Sequence, residues 1–318
     1  MATRSIFEEY YSPQTFVDRF ATDAARAVDV IIPVIHTNEL WRANLVSIYR
    51  EIPVRTLIVG DGGSIDGSLK VLEDFPRVRV LDHRAYKSLG FSLRAMIEAV
   101  EADWFVYLHS DVYLPAGWFD AMAARQADYD WFGSAMQHTI MVEYPNDFGE
   151  RPWAGSQMGR TAKFRPAISV IDDDYVYRQE DFVLSDIVAR AGGREGRVAD
   201  TFHYHQTIRK PSPTARKIKS VKLDLEMSRD EEIRTWDTQA RGIVKYLHPG
   251  SPWLEHELAV SVHRLVRLGA VTEADFDRWT AATNPAWLPY LRSGLRRRKA
   301  RALLEGAERM LRGLIPSK

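Results

Sequence analysis

Apolar and polar positions along the chain fall into short strand-like runs and longer helical repeats. Asp29 to Val34 (DVIIPV), Thr56 to Gly60 (TLIVG), Arg77 to His83 (RVRVLDH) and Trp104 to His109 (WFVYLH) are β-branched or aromatic runs that stop at polar or glycine-rich residues. Each reads as a strand. Between them, LWRANLVSIYRE (40–51) and SLRAMIEAVEA (92–102) space their apolar residues helically. Strand and helix alternate, which predicts βαβ units, a mostly parallel sheet and an α/β fold. Ligands of such sheets sit beyond the carboxyl ends of the strands. That rule gathers Asp61, the stretch Lys87 to Gly90, and His109 to Asp111 at one edge.

Beyond residue 130 the pattern is less regular. WFGSAMQHTIMVEY (131–144) suggests an antiparallel strand, and RPWAGSQMGRTAKFRP (151–166) reads as a long, basic, mobile loop. A helix is expected over YRQEDFVLSDIVARAGG (177–193), stopped by its glycines, and a strand over VADTFHYHQ (198–206). After Pro211 the chain turns helical. Leu254, Leu258, Val262, Leu265 and Leu268 share a helical face between Pro252 and Gly269, and Thr272 is placed to cap the helix that follows. The expected organisation is an N-terminal helical arm (1–26), a catalytic domain (27–210) and a C-terminal helical region (211–318).

Composition narrows the function classes. With 45% hydrophobic and 27% charged residues, the 318-residue chain is that of an ordinary globular protein. Lys and Arg together number 43, as do Asp and Glu, so bulk charge gives no support to nucleic-acid binding. Cysteine is absent, leaving oxygen and imidazole as metal ligands. The N-terminus lacks the apolar core of a signal peptide and no stretch approaches a membrane span, so a cytoplasmic protein is expected. Near the end, Leu295, Leu303, Leu304, Met310, Leu311 and Leu314 can form an apolar helical face beside the basic run Arg296, Arg297, Arg298, Lys299 and Arg301. Such a helix could make peripheral contact with the inner membrane face or pack on its own domain.

Several polar groups could carry chemistry, and each has a plain structural reading beside it. GDGGSIDGS (60–68) is a glycine-rich turn without the GK[ST] ending of a P-loop; Asp61 could contact a nucleotide base there or merely shape the turn. Asp111, two residues after His109 at a strand end, is a candidate metal ligand or a turn aspartate. Glu180 and Asp181 open a helix, where acids also complement the helix dipole. His203 and His205 alternate along a strand and so project from one face, where both could bind metal.

In their order, these pieces resemble the inverting GT-A glycosyltransferases of the large family two, over roughly residues 28 to 206. DVIIPV is similar to the family's opening strand, LIVGDGGSIDGS to its nucleotide-binding turn, HSDVYLP to its DxD element, YRQEDF to its ED motif, and VADTFHYH to the strand whose terminal histidine completes a metal site. The resemblance implies a nucleotide-sugar donor, a divalent cation and transfer with inversion. Pro33, Val34, Asp61, Lys87, Gly90, His109 and Ser110 would then bind the donor; Asp111, His205 and His203 would serve the metal; Asp181, beside Glu180, would be the catalytic base. Two positions depart from the family pattern: His109 stands where the first acid of DxD is expected, and Gly62 replaces a frequent second aspartate of the turn.

A carboxylate-and-imidazole ligand set suits Mn2+ or Mg2+, with the histidine favouring manganese. A UDP-sugar is the default donor, and the acceptor could be lipid-linked or a glycan. The glutamine-arginine-tryptophan signature of processive synthases is missing, which implies transfer of a single sugar. Three other readings compete: a sugar-phosphate nucleotidyltransferase, a metallohydrolase using His109, Asp111, His203 and His205, and a catalytically silent binding module that keeps the fold.

Overall fold

The computed structural model describes residues 15–35, 37, 41–86, 88–138, 155–176, 179–205 and 228–313. The chain divides into two compact units, residues 1–174 with 180–226, and residues 175–179 with 227–318. Of the expected N-terminal arm, residues 1–14 lie outside the described residues; Phe20–Asp23 is a single helical turn.

The first unit is built on an eight-stranded sheet: β1 (Val28–Val34), β2 (Val54–Asp61), β3 (Val78–Asp82), β4 (Trp104–Leu108), β5 (Val112–Tyr113), β6 (Trp131–His138), β7 (Ser156–Arg160) and β8 (Glu195–His205). The spatial order is β3-β2-β1-β4-β7-β6-β8-β5. The β3-β2-β1-β4 half is parallel, as the alternating pattern predicts. The other half is mixed: β7 runs antiparallel to both β4 and β6, β8 is parallel to β6, and β5 is antiparallel to β8. β1 is buried along nearly its whole length, as expected of a parallel strand covered on both faces.

Helices α1 (Trp41–Glu51), α2 (Ser68–Leu72), α3 (Leu89–Ala99), α4 (Trp118–Ala123), α5 (Thr161–Phe164) and α6 (Glu180–Arg190) accompany the sheet. On α1, Trp41, Leu45, Ile48 and Tyr49 join Val30, Ile32, Leu57, Val59, Val106 and Trp118 in one core. α3 starts three residues earlier than its apolar spacing suggests, because the Ser88 hydroxyl caps it by accepting from Gly90 N at 3.3 Å.

One expectation fails here. The stretch read as a mobile loop contains β7, one of the inner strands, followed by α5; its first four residues, 151–154, lie outside the described residues. Ser-Gln-Met-Gly-Arg has no apolar alternation, yet it is buried because partner strands satisfy its backbone on both sides. The strand expected over 131–144 is described to His138, and is antiparallel to β7 but parallel to β8.

The second unit is helical: α7 (Arg229–Tyr246), α8 (Pro252–Arg267), α9 (Glu273–Thr283) and α10 (Leu288–Gly313). A capping box between Ser228 and Glu231 starts α7, and Thr272 caps α9 as the sequence suggests. Leu254, Leu258, Val262 and Leu265 are buried along α8. This unit also takes in residues 175–179: Gly242 on α7 lies against the Tyr175 carbonyl and the Gln179 amide, both of which a Cβ atom there would overlap.

The proposed apolar face of the tail is split. Leu295 is buried within the helical unit, while Leu304 is 66% exposed. The side chains of Leu303, Met310 and Leu311, like Leu314, lie outside the described residues. No helix among the described residues is long and apolar enough to cross a membrane.

Candidate active site

The carboxyl edge of the sheet collects the polar residues singled out in the sequence. At the ends of β1 and β2, Gly62 N donates to Val34 O at 2.8 Å, and the Asp61 carboxylate accepts from Ser64 N at 2.9 Å, closing the glycine-rich turn. Asp61 is buried, Pro33 half-buried, and Gly90 is buried in the first turn of α3. Ser110 is buried with its carbonyl accepting from Asn44 Nδ2 at 3.0 Å. Lys87 lies outside the described residues.

The resumption of apolar residues after His109-Ser110-Asp111 has a structural cause. Val112 and Tyr113 form β5, which pairs with the end of β8 so that Val112 stands opposite His205. That pairing brings Asp111 Oδ1 to 3.4 Å from His205 Nε2. His109 Nδ1 lies 3.3 Å from the same His205 nitrogen, and His109 Nε2 lies 3.2 Å from Glu180 Oε1. Two groups therefore meet at His109, His109–Asp111–His205 and His109–Glu180–Asp181, each with ligand-type atoms within 4.8 Å of one another.

The two acids at the start of α6 differ. Glu180 is buried and faces His109, whereas the half-buried Asp181 accepts a hydrogen bond from Gln157 Nε2 at 2.5 Å. Burial, followed by the charge of Glu180, pushes the Asp181 carboxyl up to about 7; His109 and the Gln157 amide oppose that rise. The buried Tyr107 hydroxyl is held protonated by burial and by the carboxylates of Glu180, Asp181 and Asp111.

His203 does not enter either group. Its ring is fully buried, with Nδ1 2.7 Å from Ser156 Oγ and 3.0 Å from Ser134 Oγ. It shares a face of β8 with His205, ring centroids 6.2 Å apart, and therefore buttresses that residue. Gly155 caps the pair of rings: its φ of +93° is in the left-handed region, and a Cβ there would stand 3.0 Å from His203 Nε2.

Gln157 and Tyr107 were missed in the sequence. Gln157 gives no signal, being a polar residue in a stretch with no strand pattern. Tyr107 does give one, since it lies two residues before His109 on a strand and so shares its face; the rings are 5.5 Å apart.

Residues 29–182 match the sequence profile "Glycosyl transferase family 2". This segment belongs to that family. It runs from β1 into the first turn of α6, and so contains Asp61, His109, Asp111, Glu180 and Asp181, while His203 and His205 lie beyond it. The likeness of this segment is to glycosyltransferases. No curated protein matches the chain in sequence.

Among solved structures, residues 1–349 of S. aureus TarS in complex with UDP-GlcNAc align at 14% identity and a TM-score of 0.46, over 86% of this chain and 91% of that chain. The mannosyltransferase PcManGT from Pyrobaculum calidifontis, in complex with GDP-Man and Mn2+, aligns at 15% identity and a TM-score of 0.48, over 96% and 85%. Glucosyl-3-phosphoglycerate synthase from Mycobacterium tuberculosis, with Mn2+, UDP and phosphoglyceric acid, aligns at 14% and 0.45, over 63% and 78%. At these scores no ligand or residue role is carried over from them.

Proposed function

We propose that the protein is a metal-dependent inverting glycosyltransferase, moving one sugar from a nucleotide-sugar donor, a UDP-sugar as first choice, to the hydroxyl of a glycan or lipid-linked acceptor. The observation that carries this reading is the meeting, at one sheet edge and next to a family 2 segment, of a carboxylate–imidazole group with a separate carboxylate held near neutral pKa.

Single displacement needs two services on opposite sides of the anomeric carbon. Asp181 supplies one: it takes the proton of the acceptor hydroxyl as that oxygen attacks. The Gln157 amide orients one carboxylate oxygen, leaving the other for the acceptor. On the leaving-group side, Asp111 and His205 would hold a divalent cation, Mn2+ or Mg2+. The cation, when bound, would neutralise charge on the departing diphosphate. Asp61 would hydrogen-bond the base, with Pro33, Val34, Lys87, Gly90 and Ser110 lining the donor pocket.

A thermal-shift screen of nucleotide sugars with and without Mn2+ tests the reading, because a ligand that binds only the native state raises its stability by mass action. The expected result is a Mn2+-dependent upward shift with one nucleotide class, followed by transfer with inverted anomeric configuration by NMR. Binding without any transfer or hydrolysis would replace the enzyme by a catalytically silent binding module.

A further inference from the structure

The histidine at position 109, where an acid was expected, stands between the two functional groups. One ring nitrogen faces His205 and Asp111; the other faces Glu180. We propose that His109 is itself a metal ligand through Nδ1, completing a set of two imidazoles and one carboxylate with His205 and Asp111, and that Glu180 is the positioning residue that holds the ring in this orientation. This rests on the metal-dependent reading above, and it disfavours magnesium as the working cation.

The spacing supports it. Bonds of about 2.0–2.2 Å from one ion put neighbouring ligand atoms roughly 3 to 3.5 Å apart. His205 Nε2 is 3.3 Å from His109 Nδ1 and 3.4 Å from Asp111 Oδ1. The supporting residues fit as well. A metal-bound histidine commonly gives its second ring N–H to a carboxylate, which fixes tautomer and orientation. With Nδ1 given to the ion, the ring proton sits on Nε2, where Glu180 Oε1 is 3.2 Å away.

The backbone leaves little freedom: His109 N donates to Gly155 O at 3.0 Å, and His109 O accepts from Val112 N at 3.3 Å. The alternative group, His109–Glu180–Asp181, would occupy the base that Gln157 already holds. Mg2+ prefers all-oxygen surroundings with several waters, whereas imidazole suits the later first-row ions. Replacing an acid by His109 therefore shifts the site away from Mg2+.

Titration of the purified full chain with Mn2+, alone and with UDP, followed by the electron paramagnetic resonance of free Mn2+, reads this directly. His109→Ala is expected to weaken Mn2+ binding at least as much as Glu180→Gln, for which a loss of roughly 10–100-fold is expected of an orienting carboxylate. His109→Asp is expected to keep the ion but to let Mg2+ displace Mn2+ at lower concentration than from the wild type. Thermal unfolding of each variant reports whether it is folded; should His109→Ala fail to fold, His109→Asp and Glu180→Gln carry the test. Wild-type Mn2+ affinity in folded His109→Ala, or in both Glu180→Gln and His109→Asp with Mg2+ competition unchanged, would overturn the proposal. So would affinity lost in Asp181→Asn but kept in Asp111→Asn. A wild type that binds no Mn2+ even with UDP would instead remove the metal-dependent reading itself.

Discussion

Gln157 on β7 donates its side-chain amide to Asp181 on the first turn of α6 across 2.5 Å. A residue of the inner sheet thus aligns the carboxylate at the start of a helix, and the proposed proton acceptor is held by the scaffold instead of by a loop. Asp181→Asn keeps the size and accepting oxygen of that side chain but cannot take a proton. Transfer is expected to fall roughly a hundred- to ten-thousand-fold while donor binding survives. Glu180→Gln should cost less. Steady-state rates with calorimetric donor affinities check this; near wild-type transfer in Asp181→Asn would remove the base assignment.

The pH profile follows from the same carboxyl. Held at about 7, Asp181 is the active, ionised base only above that pH, so the rate should rise with pH through this value and then level off. Because the folded carboxyl binds a proton that the unfolded one releases near pH 4, this group should lower stability as pH rises from about 4 to 7. Two substitutions should move the acidic limb of the rate profile in opposite directions. Gln157→Leu removes a donor to the charged form and shifts the limb up; Glu180→Gln removes a neighbouring negative charge and shifts it down. A limb that stays put in both would disconnect it from Asp181.

Most of what was legible in the sequence depended on local apolar pattern. β1, β2 and β4 announce themselves because strands buried on both faces need continuous apolar runs, the more exposed edge strand β3 by its repeated valines, and α8 because its buried leucines repeat at helical spacing. As candidates, Asp111 could be picked out because it stands where an apolar run breaks off, His205 because it alternates with His203 along a strand, and Asp181 because it belongs to an acid pair that opens a helix. β7 could not: its strand pairing comes from β4 and β6, which are distant in sequence, and its Ser156 and Gln157 side chains meet His203 and Asp181. Gln157 was hidden with it. Likewise nothing local distinguishes the surroundings of His205 from those of His203; the pairing of β5 with β8 brings the former beside Asp111, and two serine hydroxyls hold the ring of the latter.

In the helical unit, Gly242 is a packing requirement. A methyl group there meets the Tyr175 carbonyl and the Gln179 amide well inside contact distance. Gly242→Ala is expected to destabilise this unit by about 1–3 kcal/mol, the usual range for overpacking, despite the higher helix propensity of alanine. Chemical denaturation followed by circular dichroism measures it; unchanged or increased stability would contradict the close packing.

The tail offers a separate test. Arg296 and Arg297 are exposed on α10 and Leu304 projects from the same helix, although Leu295 packs inward. If this helix meets a membrane surface, the chain should pellet with anionic vesicles more than with neutral ones, and changing both arginines to glutamate should abolish the difference. Equal pelleting with both lipids would leave α10 as a structural helix with a solvated basic face.

Residues 155, 156 and 157 hand three neighbours three different supports: the Gly155 carbonyl receives the His109 amide, the Ser156 hydroxyl meets the His203 ring, and the Gln157 amide holds Asp181. Consecutive side chains of a strand point to opposite faces, so losing or gaining one residue here would turn Ser156 and Gln157 to the wrong faces and shift the Gly155 carbonyl from the His109 amide. Gly-Ser-Gln behaves as an indivisible cassette. A designer grafting the site onto another scaffold must carry the tripeptide whole and in phase.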